Sequence, residues 1–306
     1  MMHFIRAFIK GWDQFFFAPV SMIPAAVFRV VFSATLLAMY SFRFADWRFY
    51  FTDAGFLKSG EALEVLPEAL RPAIAWYPTG EMSVWFLHLV FLFALLGLIL
   101  GVFGRLAALV SFILHLAFMQ RNFAIVYGAD IVASFFLFAL IFMDNSRHLS
   151  VLNLLRKTKE RAPSAVNEIF STVGVRLAQI QLCIIYGYTG LEKLKGPSWW
   201  DGTAVWAVLG NQQIMMFDAT WLKSFPLLIA FMTHSTVLWE VYFPALVWIR
   251  PIRKWVLLFG IFLHGMIAVS VGLVFFSAIM VSVYFLFVSP HWLENKFHSL
   301  KRRLAA

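Results

Sequence analysis

The chain has 306 residues, of which 61% are hydrophobic, 18% are aromatic and only 13% are charged, and its mean hydropathy is +0.79. A soluble domain is about half apolar and a quarter charged, so this composition excludes an ordinary soluble protein. The net charge of +9 does not indicate nucleic-acid binding, because the Lys and Arg residues concentrate in short loops, as in membrane proteins. A single cysteine, Cys183, permits no internal disulfide and no cysteine-built metal site, and no metal is expected.

The first segment, residues 1–19, is predicted to be an amphipathic helix that lies at the membrane interface. It mixes basic residues with Phe and Trp, a composition typical of interfacial helices. It contains no apolar core followed by a small-residue cleavage site, so we interpret it as a retained segment.

The remaining hydropathy pattern predicts an all-α fold, a polytopic integral membrane helical bundle with about eight transmembrane helices. Each apolar stretch approaches the ~20 residues that cross a hydrocarbon layer. The predicted spans cover residues 20–42, 82–102, 106–120, 124–143, 173–192, 226–249, 255–271 and 273–289. Only Gly272 separates the last two, so one long or re-entrant helix over 255–289 is the alternative. The membrane domain is placed at 20–290 and a basic cytoplasmic tail at 291–306.

The distribution of basic residues predicts the orientation of the bundle. With the N-terminus inside, the inner segments hold most of the 25 Lys and Arg residues, and such an excess marks the cytoplasmic side. We therefore expect a multi-pass protein of the cell membrane with both termini cytoplasmic. Two long segments, 43–81 and 193–225, then lie outside and are expected to form short interfacial helices, because they carry turn signals and aromatic residues.

Charged residues inside the spans predict a polar core. Arg29, Glu240 and His264 lie at similar depth, and an unpaired charge in hydrocarbon costs at least ~2.5 kcal/mol. We expect Arg29 to pair with Glu240, with His264 nearby. A purely structural ion pair that holds three helices together is the alternative to a catalytic role.

The fifth predicted span carries a polar stripe on one helix face, at intervals of three or four residues. Its members are Arg176, Gln179, Cys183, Tyr186, Gly190 and Lys193. Arg176 and Lys193 lie at opposite membrane boundaries, where each could simply extend its charge towards the headgroups. Asp130 on the fourth span is expected to face the outer part of this stripe, so that Asp130, Tyr186 and Lys193 form an outer-leaflet constellation.

Three motifs follow one another in a characteristic order. They are Arg121-Asn122 with Tyr127-Gly128-Ala129-Asp130, then Tyr186 to Leu194, then Trp200-Asp201-Gly202-Thr203-Ala204. Their order and spacing resemble the HTTM (horizontally transferred transmembrane) domain family, which is related to the membrane domain of vitamin K-dependent gamma-carboxylase. The resemblance covers residues 20 to 290.

The resemblance implies a membrane enzyme that oxidises a reduced quinone of the vitamin K type with oxygen and drives proton abstraction or carboxylation with carbon dioxide. Lys193 matches the family's catalytic lysine and is expected to act as the base, with Tyr186 and Asp130 orienting it. A partly desolvated amine has its charged form disfavoured, which suits a proton acceptor. Arg29, Glu240 and His264, with Asn122 of the first motif, form the expected supporting polar core.

Two features depart from the carboxylase. Phe123 stands where the carboxylase has a histidine, and no large luminal domain is expected after the last span. The expected partners are the lipid bilayer, a quinone and a secreted peptide or protein, but not nucleic acid. The alternative function is a non-enzymatic membrane partner or a maturation factor for a secreted peptide or protein. A transporter is less favoured, because the spans lack Gly and Pro breaks in repeated halves.

Overall fold

A computed structural model describes residues 2–65, 68, 77–78, 80–144, 146–156 and 164–305. This part of the chain is helical and contains no strand, which confirms the all-α class. Among the described residues, four helices are long and apolar enough to cross a bilayer. They number five if the pair Val274–Phe287 and Pro290–Phe297, bent by 102°, forms one span. These helices indicate a membrane protein.

Helices lie over all the predicted spans. In chain order the α-helices are α1 (Met2–Phe17), α2 (Ile23–Ala45), α3 (Trp47–Phe51), α4 (Ser59–Val65), α5 (Glu81–Leu100), α6 (Gly104–Arg121), α7 (Gly128–Phe142), α8 (Val151–Arg156), α9 (Ala165–Lys193), α10 (Pro197–Trp200), α11 (Ala204–Leu209), α12 (Pro226–Leu246), α13 (Arg250–Val271), α14 (Val274–Val283) and α15 (Pro290–Ala305). Short 3₁₀ helices occupy Phe123–Ile125, Thr220–Ser224 and Tyr284–Phe287. The four helices that qualify alone as spans are α2, α5, α9 and α13, so the count of eight stays a prediction.

The chain divides into two compact units. Unit 1 is Met1–Ala178 with Val288–Ala306, and unit 2 is Gln179–Phe287. In unit 1, α2 packs against α5, α5 against α6 and α6 against α7, while α15 packs against α2. The aromatic core of unit 1 includes Phe28, Phe32 and Phe136, whose rings meet edge to face at 6.1–6.2 Å between Phe136 and the other two.

Helix α1 confirms the helix predicted for the first segment. Its apolar side chains are exposed, among them Phe4, Phe8 and Trp12. At its C-terminal end, Nε of Arg176 donates to the carbonyl of Phe15 at 2.8 Å, and the guanidinium lies over the Phe15 ring. Arg176 therefore contacts the protein and does not simply extend towards the headgroups, because α1 offers it a carbonyl and an aromatic face.

In unit 2, α12 packs against α10, α11 and α13, and α13 packs against α14. Gly272 has a φ of +76°, a left-handed conformation that favours glycine, and it ends α13 before α14 begins. One long continuous helix over 255–289 is therefore wrong, whereas a re-entrant arrangement of this segment stays a prediction. The predicted outer segment 193–225 contains α10, α11 and a 3₁₀ helix. The other, 43–81, contains α3 and α4, while its residues 66–67, 69–76 and 79 lie outside the described part.

Close packing in unit 2 depends on a small residue in α13. A methyl group added at Gly260 would collide with the hydroxyl of Tyr284 and approach the Trp239 ring to 2.6 Å. We expect Gly260→Ala to destabilise the protein by about 1–3 kcal/mol, as overpacking of a tight core does. Thermal unfolding in detergent checks this.

Gly265 in the same helix is the matched control, because nothing lies within 4 Å of its added methyl group. Gly265→Ala should leave the melting temperature unchanged or slightly higher, since Ala favours helix. Equal melting temperatures for the two variants would contradict the close packing at Gly260.

Candidate functional site

Unit 2 pairs the last residue of α9 with a carboxylate in α12. Nζ of Lys193 lies 2.6 Å from Oε2 of Glu240, and the two side chains are 24% and 10% exposed. Gly190, one turn before Lys193, allows this approach, because an added methyl group there would meet the backbone nitrogen of Val241 at 2.8 Å. The small residue therefore brings the two helices close enough for the lysine to reach the acid.

An indole ring covers the amine of Lys193. Helix α10 begins at Pro197, directly after Gly196, and places the Trp199 ring centroid 5.4 Å from Nζ. Within this range a cation and an indole attract each other by about 0.5–2 kcal/mol. The amine is therefore turned towards a carboxylate and an aromatic face, and this geometry differs from that of a lysine that only extends towards headgroups. About a quarter of the Lys193 side chain stays exposed.

A second polar group in unit 2 is centred on Tyr186. Its hydroxyl lies 2.6 Å from Nε2 of His264 and 2.6 Å from the hydroxyl of Tyr284. Its ring packs against Trp239 and Phe243 of α12, with centroid distances of 4.7 and 4.5 Å. Both Trp239 and Phe243 neighbour Glu240 on that helix, so Tyr186 is held next to the ion pair.

The third motif of the sequence forms a turn that is fixed to α12. The hydroxyl and the backbone N–H of Thr203 both donate to Oδ1 of Asp201, at 2.6 and 2.9 Å, and these bonds lower the pKa of Asp201. Gly202 has a φ of +81°, and its carbonyl accepts a hydrogen bond from Thr233 at 3.0 Å. The turn thereby holds α10 and its Trp199 in place.

Unit 1 has its own buried ion pair. The guanidinium of Arg43 donates to both carboxylate oxygens of Asp130, at 2.6 and 2.9 Å. Asp130 also accepts the backbone N–H of Tyr127, so it caps α7. Behind it, His115 bridges the carbonyl of Asp130 and the hydroxyl of Tyr40, at 2.9 and 2.7 Å. Asp130 is fully buried in this network.

The first motif also lies in unit 1. Arg121 donates to Oδ1 of Asp53 at 3.0 Å, and Nδ2 of Asn122 donates to the carbonyl of Tyr50 at 2.8 Å. Burial raises the pKa of Asp53, but hydrogen bonds from Ser59 and the charge of Arg121 outweigh it, so the pKa is lowered. Asn122 therefore fixes the segment that follows α2.

The predicted pairing of Arg29 with Glu240 is wrong. Arg29 is buried in unit 1 and donates to the carbonyl of Leu149 at 2.6 Å, whereas Glu240 takes Lys193 as its partner. A backbone carbonyl is a suitable acceptor for a buried guanidinium, and similar depth in two helices does not by itself predict a contact. His264 was expected beside this pair and instead binds Tyr186.

The predicted constellation of Asp130, Tyr186 and Lys193 is also different from the observed contacts. The Asp130 carboxylate is bound by Arg43, and the Lys193 amine is bound by Glu240. A guanidinium binds both oxygens of a carboxylate at once, which a lysine cannot do. Asp130 therefore has no assigned role in orienting Lys193.

Sequence reasoning missed several residues of these clusters, among them Arg43, Trp199, Trp239 and Tyr284. The hydropathy pattern predicts Arg43 in the outer segment, but α2 continues to Ala45 and carries it. The sequence does indicate a role for Tyr284, because a phenol within an apolar stretch needs a hydrogen-bond partner. In the described residues, no three His, Cys, Asp or Glu side chains converge as a metal site would require.

Comparisons with known proteins add little about function. No model of a known protein family matches the chain, and no solved structure matches it. It is similar to the uncharacterized protein YitO of Bacillus subtilis (strain 168), with 27% identity over 146 residues. The match covers 45% of this chain and 47% of YitO, so the chain spans about half of that relative's length.

Proposed function

We propose that the chain is a membrane enzyme related to the HTTM family, which oxidises a reduced quinone with oxygen and uses Lys193 as its base. The observation that carries the proposal is the half-buried Lys193–Glu240 pair beneath Trp199. An amine that is partly dry, next to an acid and still accessible suits proton transfer from a hydroquinone hydroxyl. The motifs around Asn122, Lys193 and Asp201 support the relationship through their resemblance to the family.

The proposed reaction needs two reactants that the protein does not supply, a hydroquinone and dioxygen. A hydroquinone and dioxygen give the quinone epoxide and water, and the strong base formed on the way can take a proton from a glutamate γ-carbon, to which carbon dioxide then adds. Lys193 takes the first proton from the hydroquinone hydroxyl. Glu240 holds the amine in place by accepting its hydrogen bond at 2.6 Å. The Trp199 face provides an aromatic surface for the quinone ring.

The proposed topology places this pair near the outer face of the cell membrane. It has eight spans, both termini in the cytoplasm and α1 lying in the inner interface. Two observations support it: α1 exposes Phe4, Phe8 and Trp12, and the segment 193–225 exposes Trp200 and Trp221. Side chains of this kind favour membrane interfaces.

Labelling of introduced cysteines tests this topology. The native Cys183 is buried, so it should give little background. We expect a membrane-impermeant thiol reagent on intact cells to label Gln213→Cys and to leave Asn295→Cys unlabelled until the cells are opened. Labelling of Asn295→Cys alone would reverse the orientation and place Lys193 on the cytoplasmic side.

The proposed activity is tested with purified protein, a vitamin K hydroquinone and oxygen. We expect epoxide from the wild type and from Lys195→Ala, and at least a ~10²-fold lower rate from Lys193→Ala, as for loss of a general base. Lys195 is the matched control, because it lies two residues after Lys193 and forms an exposed pair with Glu192. Absence of Lys193-dependent epoxide would overturn the enzyme proposal and favour a non-enzymatic partner or maturation factor, in which these pairs only hold helices together.

A further inference from the structure

The hydrogen-bonded series Tyr284–Tyr186–His264 has no role in the reaction proposed above. Its two bonds of 2.6 Å, to Nε2 of His264 and to the hydroxyl of Tyr284, are at the short end of the usual range. The three side chains are at most 3% exposed. Hydrogen bonds in such surroundings polarise one another and form a connected network.

The protons of these three side chains allow two arrangements of the hydrogen bonds. A neutral imidazole has one ring proton, and each phenol has one proton. In the first arrangement Tyr284 donates to Tyr186 and Tyr186 donates to Nε2, so the ring proton of His264 is on Nδ1. In the second, Nε2 donates to Tyr186 and Tyr186 donates to Tyr284, so the hydroxyl proton of Tyr284 points away from Tyr186.

One proton is transferred across the three residues when the first arrangement changes into the second. If Tyr186 passes its proton to Nε2 and receives the proton of Tyr284, then Nδ1 of His264 can release one proton while Tyr284 takes up another. His264, Tyr186 and Tyr284 each give one proton and receive one, so no charge is left on any of the three side chains. The three residues therefore have the composition and the contacts of a proton relay.

Tyr284 and His264, the two ends of this hydrogen-bonded series, have different surroundings. Tyr186 lies two turns before Lys193 on α9, and the rings of Tyr186 and Tyr284 both pack against Phe243, one turn after Glu240 on α12, with centroid distances of 4.5 and 6.1 Å. At the other end, Nδ1 of His264 is buried and has no hydrogen-bond partner among the described residues. One end therefore adjoins the Lys193–Glu240 pair, and the other presents a free ring nitrogen.

We propose that Tyr186, Tyr284 and His264 form a proton relay between the Lys193–Glu240 pair and Nδ1 of His264. Its purpose rests on the proposed function: a proton that Lys193 takes from its substrate must leave before the next turnover, and the relay offers a route inside unit 2. The three residues are proton-relay residues and do not touch the substrate. The competing interpretation is a static cluster that only holds α9, α13 and the 3₁₀ helix Tyr284–Phe287 together.

The relay is tested without activity by solid-state NMR of the full chain in lipid, with ¹⁵N-labelled histidine. His264→Gln identifies the His264 signals among those of the eight histidines. In the wild type we expect both ring tautomers of His264. In Tyr284→Phe we expect only the form with the proton on Nδ1, because Tyr186 then has no acceptor except Nε2. Glu240→Gln should change the tautomer ratio, whereas Glu192→Gln at the exposed pair should not.

A single tautomer in the wild type, unchanged in Tyr284→Phe, would overturn the relay. A second readout is quinol oxidation, for which we expect Tyr284→Phe to lower kcat on the order of 10-fold with an unchanged KM, less than loss of a direct base. If the wild type forms no epoxide, the proposed function fails while the NMR result still decides the relay. If epoxide forms and Tyr284→Phe keeps the wild-type kcat, the relay is wrong and the proposed function stands.

Discussion

Asp130→Asn is expected to destabilise the protein by about 3–5 kcal/mol, as for other buried ion pairs from which one partner is removed. The carboxylate is fully buried and binds Arg43 through both oxygens, and the Arg43 side chain is only 14% exposed. The amide would leave a guanidinium charge without its counter-charge in a dry environment, and it would weaken the cap of α7. Thermal unfolding and the yield of folded protein in detergent measure the loss.

The matched control is an exposed pair in the same unit. Arg48 and Glu81 lie 3.1 Å apart, but their side chains are 68% and 46% exposed. Water screens such a pair, so Glu81→Gln should change the melting temperature little. If Asp130→Asn behaves like Glu81→Gln, the Arg43–Asp130 pair does not stabilise unit 1 as the structure indicates.

Glu240→Gln is expected to have the second largest effect, a loss of roughly 1–3 kcal/mol. The figure is below that for a fully buried pair, because Lys193 keeps 24% of its side chain exposed and water screens part of the interaction. Each single change at the pair leaves one charge without its partner. The double variant Lys193→Ala with Glu240→Ala removes both charges.

A double-mutant cycle of melting temperatures checks this expectation. We expect the double variant to be less destabilised than the sum of the single variants Lys193→Ala and Glu240→Ala, since the penalty of an unpaired charge is absent. Strict additivity would show that the two side chains do not interact in the folded protein.

The helices could be predicted from the sequence because membrane helices are defined by local composition. Apolar stretches of sufficient length marked the positions of α2, α5, α9 and α13, and Gly272 marked the break that its positive φ requires. The amphipathic first segment likewise forms α1. In each case the physical cause lies within a few turns of the same helix.

The partners of the polar residues could not be predicted in this way. Hydropathy gives the depth of Arg29 and Glu240 but does not say which helices are neighbours, so two residues of equal depth were paired wrongly. The hydropathy pattern places Lys193 at the membrane boundary, but its amine reaches the Glu240 carboxylate at 2.6 Å. Gly190 is what allows this approach, and a glycine within a helix pattern does not reveal which helix it faces.

Lys193→Arg provides the most direct test of the claim that Lys193 is a base. Arginine preserves the positive charge and can pair with Glu240, but it cannot give up its proton in a protein. If Lys193 acts as the base, Lys193→Arg keeps the wild-type melting temperature and loses hydroquinone-dependent epoxide formation to the same extent as Lys193→Ala. Wild-type epoxide formation by Lys193→Arg would contradict the account, because the pair would then serve only to join two helices.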